Sequence, residues 1–69
     1  KDYRKGSKII DAMPTEQAVD ILNALTDPAD VVEIMVLLKD KKAGEIIAAL
    51  EPARGAEMIK MILDRRGGA

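Results

Sequence analysis

An all-helical fold of about five short helices in one stack is what this sequence predicts, and three observations carry the prediction. Apolar residues recur in a fixed phrase every 12 or 13 residues along the chain of 69. Nearly half the residues (48%) are apolar, yet Tyr3 is the only aromatic, so the core must be built from Ile, Leu, Val, Met and Ala. No segment alternates polar and apolar with period two, as a half-buried strand would.

The phrase is clearest in MPTEQAVDILNAL, residues 13 to 25. With Met13 as position zero, Ala18 stands at +5, Asp20 at +7, the apolar pair Ile21 and Leu22 at +8 and +9, and Leu25 at +12. Counting from Thr26 gives Val31, Glu33, Ile34, Met35 and Leu38; from Leu38 it gives Ala43, Glu45, Ile46, Ile47 and Leu50; from Leu50 it gives Gly55, Glu57, Met58, Ile59 and Ile62. A worn first copy from Lys1 supplies Gly6, Ile9, Ile10 and Met13, with Lys8 in place of the acid.

Apolar residues at +5, +8, +9 and +12 follow the i, i+3, i+4, i+7 spacing of one helix face, so each copy predicts one short helix with one buried stripe. The first is expected over residues 2–12 and the second over 15–25, with Pro14 between them. The third, 28–38, opens on Asp27 and Pro28, an N-cap followed by a first-turn proline. Asp40 is a candidate cap for the fourth, 41–50, and Pro52 stands before the fifth, 53–65, where Arg65 and Arg66 suit the negative end of the helix dipole and Gly67 and Gly68 stop it. Small residues at +5 suit close approach of helices. Lys41 with Glu45, and Lys60 with Asp64, are spaced to pair along a helix.

Helices this short are marginal alone and gain stability by stacking, which predicts a single helical-repeat domain over 1–69, arranged as a HEAT-like superhelical bundle. The start at Lys1 reads as a fragment of a longer chain, with 1–8 a lead-in segment or the end of a preceding helix. The third helix, VVEIMVLL, is apolar nearly all round, which places it centrally or at an interface. Met58 and Met61 suit either core filling or an adaptable binding groove. Val32, Met35, Val36, Met58 and Met61 are therefore the candidate partner-binding residues, with a homodimer as one use of them.

Composition removes several functions. The chain has no Cys and no His, so thiolate chemistry, a His-dependent nucleophile and a zinc site lack their ligands. No nucleophile, base and oxyanion donor can be assembled, so an enzyme is not expected, and no cofactor is implied. From Ile9 to Leu38 there are six acids and no base, a sign that repels phosphate backbones and argues against nucleic acid. No apolar run approaches the roughly 20 residues needed to cross a bilayer, so direct membrane insertion is not expected. The acids at +7, Asp20, Glu33, Glu45 and Glu57, recur in register but are read as solvated helix faces, because hard cations need several oxygens at one point.

The phrase M-P-x-x-x-A-x-x-I-L-x-x-L from Met13, then D-P at Asp27, then A-x-E-I-I-x-x-L-E-P-x-x-x-A from Ala43, resembles a helical domain shared by three bacterial groups over about residues 9 to 63. These are the N-terminal domain of MgtE-type magnesium transporters, the middle domain of the rotor protein FliG, and the C-terminal domain of the MotE-type flagellar chaperones. The rotor group carries a histidine-bearing E-H-P-Q motif that is absent here. The basic KDYRKGSK opening and the stop at RRGGA are similar to the MotE-type arrangement. That resemblance implies a periplasmic, non-enzymatic interaction module that supports a flagellar motor or stator component of the MotB type, and the apolar third helix or the Met-bearing last one is the expected contact of a dimer. The MgtE-type resemblance implies instead a cytoplasmic magnesium-sensing domain in which Asp20, Asp27, Asp30 and Glu33 help hold cations.

Overall fold

A computed structural model describes residues 1–66, with the side chain of Arg66 outside the description, and the expected stop at Gly67 and Gly68 lies beyond the described residues. Five helices account for nearly all of it: α1 (Tyr3–Ala12), α2 (Thr15–Ala24), α3 (Pro28–Leu37), α4 (Asp40–Ala48) and α5 (Pro52–Arg66). No strand occurs among the described residues, so the all-helical expectation holds and every predicted helix falls within two residues of its observed bounds.

The repeat is visible in the backbone as well as in the side chains. In all five units the +5 N–H donates to the +1 carbonyl: Gly6 to Asp2 at 3.3 Å, Ala18 to Pro14 at 3.0 Å, Val31 to Asp27 at 3.3 Å, Ala43 to Lys39 at 2.9 Å and Gly55 to Glu51 at 2.8 Å. In the first four units the +12 N–H donates to the +9 carbonyl, as Met13 does to Ile10 at 3.2 Å and Leu50 to Ile47 at 3.1 Å. The first four units are thus opened and closed at the same two places, and the chain leaves α1, α2 and α3 in extended conformation at Met13, Leu25 and Leu38. The +5 to +1 bond is the first regular bond of each helix, and the +12 to +9 bond pairs a carbonyl that a helix end otherwise leaves without a partner.

Capping follows the sequence in part. Asp27 accepts from the Ala29 N–H at 2.9 Å with Pro28 in the first turn, and Asp2 does the same for α1 from the Lys5 N–H at 3.1 Å. Asp40 is not a cap. It is the first residue of α4, Lys39 holds the cap position without a side-chain bond, and the acid instead complements the positive end of the helix dipole.

Packing joins each helix to the one after next. α1 packs on α3 and α3 on α5, forming one row, while α2 packs on α4 in a second row and α4 also meets α5. Ile10, Ala18, Leu22, Val31, Met35, Leu38, Ile46 and Met58 form one core between the rows. The small residue at +5 is where backbones approach: a Cβ added at Gly55 would stand 3.4 Å from both the carbonyl oxygen and a methyl of Ile47 on α4. Val31 at the same position is accommodated inside the core.

The pair at +8 and +9 divides its work by direction. In α1 and α2 the +9 residues Ile10 and Leu22 are buried while the +8 residues Ile9 and Ile21 are about half exposed, at 54% and 48%. In α5 the order reverses, with Met58 at +8 only 3% exposed and Ile59 at +9 exposed to 44%. Ile34 at +8 of α3 reaches back to Gly6 of α1, and Ile47 at +9 of α4 reaches forward to Gly55 of α5. Position +8 therefore faces the earlier neighbour and +9 the later one.

Truncating Met35 to Ala removes a side chain only 2% exposed from the centre of this core and is expected to cost about 2–5 kcal/mol in chemical denaturation. Gly44→Ala is expected to stabilise by about 0.5–1 kcal/mol, since an added Cβ meets nothing within 4 Å in a helix interior. Gly55→Val is expected to destabilise by about 1–3 kcal/mol against Ile47, and thermal melts of the two glycine variants should shift in opposite directions.

Candidate interaction groove between the third and fifth helices

α3 and α5 pack together in the first row, and their facing edges leave an open groove lined by Pro28, Ala29, Val32, Met61, Asp64 and Arg65. Three turns of sequence logic put these residues together. Pro28 and Ala29 open α3, Val32 follows one turn later, and Met61 stands one turn before Arg65 on α5. A second depression, on the α2 side, shares Pro28 and Met61 with the first, so these two side chains form the ridge between them.

Of the five candidate partner-binding residues, the groove brings Val32 and Met61 together, both half-buried. Val36 lies one helical turn beyond Val32 and is also half-buried. Met35 and Met58 are corrections to the expectation. They are 2% and 3% exposed, point into the core between the rows, and are absent from any surface the folded domain offers. Their spacing matched a surface stripe as well as a core stripe, and only the presence of neighbours on both sides decides between the two. Leu37, Ile59 and Leu63, exposed to 45%, 44% and 64%, also belong to the apolar surface, and for Ile59 this corrects the expectation that its +9 position lies on a buried stripe.

Charge fixes the groove's rim. The Arg65 guanidinium bonds the Glu33 carboxylate through Nε, and through its terminal nitrogen at 3.1 Å. Hydrogen bonding to Arg65 holds Glu33 below the usual carboxylate range, against a smaller opposing effect of desolvation. Lys60 lies 3.9 Å from Asp64, as expected from spacing. At the other edge of α3, Asp30 accepts from Lys1 Nζ at 2.7 and 2.8 Å and from the Tyr3 hydroxyl at 2.7 Å, and these hydrogen bonds likewise lower its pKa.

Three of the four in-register acids are separately engaged. Glu33 holds Arg65, Glu57 lies 3.6 Å from Arg54, and Glu45 accepts from the Thr15 hydroxyl at 2.9 Å with Lys42 at 3.8 Å. The basic partner of Glu45 is Lys42, not the expected Lys41, because i+3 rather than i+4 points across to the carbonyl of Met13, which Lys42 also reaches at 2.8 Å. Among the described residues no three acids converge on a point that could hold a cation. Asp27 is occupied as a cap.

Two depressed carboxylates tie α3 to its row neighbours, and the sign of their linkage is fixed. A carboxylate with a lowered folded pKa contributes stability that is complete above its unfolded value and lost as pH falls through the folded one. Acid titration of the wild type should therefore show stability falling below about pH 4. The double variant Asp30→Asn with Glu33→Gln should show a shallower fall over the same window, read by denaturant midpoint against pH.

Comparison of the chain with protein-family models, with curated proteins and with solved structures finds no match.

Proposed function

We propose that this chain is a non-enzymatic protein-interaction module of the MotE-like kind, a HEAT-like stack that supports assembly or function of a flagellar motor stator component in the periplasm. The observation that carries the interaction part is the α3–α5 groove, where Val32 and Met61 make an apolar floor bordered by paired charges. An open apolar trough with a charged rim is the form of a protein-docking surface, in which a few desolvated side chains supply most of the binding energy. The flagellar part rests on the resemblance of the repeated phrase and of the three prolines. No helix among the described residues is long and apolar enough to cross a membrane, so the described part of the chain meets its partner through surfaces rather than by spanning.

Calorimetric titration with the purified periplasmic segment of a MotB-type stator protein tests the reading. Wild type is expected to bind, and Val32→Glu with Met61→Glu to weaken binding by about tenfold or more while circular dichroism keeps its helical signal. Absence of wild-type binding, or equal binding by the double variant, would overturn the groove as the docking site.

A further inference from the structure

We propose that the joint between α3 and α5 is a binding site for one tyrosine side chain of another protein, taken ring first into the hollow lined by Leu25, Val31 and Met61. This hollow is the depression on the α2 side of the Pro28–Met61 ridge, inside a joint of the described stack rather than on the outer side of its first or last helix. Its occupant is tested with no partner protein present, so the site stands or falls apart from the proposed stator component.

Three joints link each helix to the one two units on: α1 with α3, α2 with α4, and α3 with α5. In the first two, the +2 residue donates a hydroxyl to a carboxylate of the later helix. The Tyr3 hydroxyl reaches Asp30 at 2.7 Å, and the Thr15 hydroxyl reaches Glu45 at 2.9 Å. The +4 residue of the later helix is tied to the +0 residue as well: Asp30 accepts from Lys1 at 2.7 Å, and Lys42 donates to the Met13 carbonyl at 2.8 Å. In the third joint the +2 residue is Pro28, which has no hydroxyl, and the +4 residue is Arg54. Among the described residues, the side chains of Arg54 and Glu57 meet only each other, at 3.6 Å. Where the first joint has the half-buried Tyr3, the third has an open hollow of about 300 Å³.

The wall of the hollow selects a ring and its rim selects a hydroxyl. Leu25, Pro28, Val31 and Met61 make the wall apolar, with Val31 3% exposed and Leu25 and Met61 half-buried. A serine or threonine is too small to cover that wall, whereas a phenol ring covers it and gains a contact with the Met61 sulfur. At the rim stand one cation and one anion, Arg54 and Glu57. A carboxylate drawn to Arg54 is repelled by Glu57 beside it, and meets further negative charge in Glu51, three residues before Arg54, and in Asp27, the cap of α3. An ammonium drawn to Glu57 is repelled by Arg54. A phenol is neutral, and its oxygen both donates and accepts, so it serves Glu57 and Arg54 together. Tyr3 is the chain's own precedent, its hydroxyl donating to an acid that also holds a cation, Lys1.

Titration with N-acetyl-tyrosinamide and with N-acetyl-phenylalaninamide, followed through the methyl NMR signals of Leu25, Val31 and Met61, tests the site. The tyrosine probe is expected to shift these methyls saturably with a Kd on the order of a millimolar, and the phenylalanine probe to bind about threefold to tenfold more weakly for want of the hydroxyl. Pro28→Tyr puts the chain's own ring at the position that Tyr3 holds in the first joint, and should abolish probe binding while circular dichroism keeps its helical signal. Glu57→Ala, at an exposed position, should bring the two probes to within about twofold of each other. No saturable shift of the three methyls, equal binding of the two probes by the wild type, or a folded P28Y that still binds would overturn the site. A tyrosine preference that survives intact in E57A would overturn Glu57 as the acceptor of the hydroxyl.

Discussion

Every other feature depends on the length of the unit. A helix opened by a +5 to +1 bond and closed by a +12 to +9 bond has room for about three turns, roughly 15 Å, which is too short to persist alone in water. Its stability must come from neighbours, and a short rod can only be covered from the sides. Each unit therefore carries two adjacent apolar residues rather than one, aimed to either side of the inward direction. That single arrangement produces the two rows, the contact between second neighbours, and the small residue at +5 that lets α5 come close to α4.

The ties between rows and neighbours are made by polar groups far apart in sequence. Tyr3 and Lys1 meet Asp30, Thr15 meets Glu45, Arg65 meets Glu33, and the Asp11 carboxylate accepts from the Lys39 N–H at 3.4 Å. Most are exposed, so each adds little to stability. What they add is register, since an aliphatic stack alone slides more easily than one with directional bonds at its edges. Ser7 does the same from inside. It is 3% exposed between α1 and α3, with its hydroxyl 2.8 Å from the Tyr3 carbonyl and 3.1 Å from the Ile34 carbonyl, so its one proton always has an acceptor.

The helices were legible because apolar spacing and the prolines state them locally. Asp27 with Pro28 announced a start, and the closing aliphatics Met13, Leu25, Leu38 and Leu50 announced the ends. What could not be read was which residue of each pair is covered. Ile9 and Ile10 are chemically the same side chain on the same helix, and only the absence of an earlier neighbour in the described stack exposes the first to 54% and leaves the second at 4%. Met35 and Met58 were misplaced for the same reason: burial at +8 and +9 is a property of neighbours, and neighbours two units away leave no mark on the local phrase. The groove was half legible. Val32 and Met61 stood out as surplus apolar residues, while Pro28, read as a helix start, turned out to wall the groove as well.

The apolar excess of α3 now divides into two parts with different causes. α3 is the one helix in its row with neighbours on both sides, α1 and α5, so Ile34 must serve the first while Met35 serves the core, and Val31 and Leu38 are buried besides. Those four residues are what the repeat asks of any fully flanked unit. Val32, Val36 and Leu37 are not asked for by it. They are half-buried or exposed, and leaving aliphatic surface there costs solvation that a polar residue would avoid, without adding to the core. Single exposed aliphatics need no explanation, but Val32 and Val36 stand one turn apart on the same face of α3, and Val32 lies opposite Met61 across an open groove, whereas Leu37 sits on another side of the helix. A central helix that satisfies the stack with one set of side chains and carries a second apolar set outward divides the unit's two tasks cleanly: holding the domain together, and meeting something outside it.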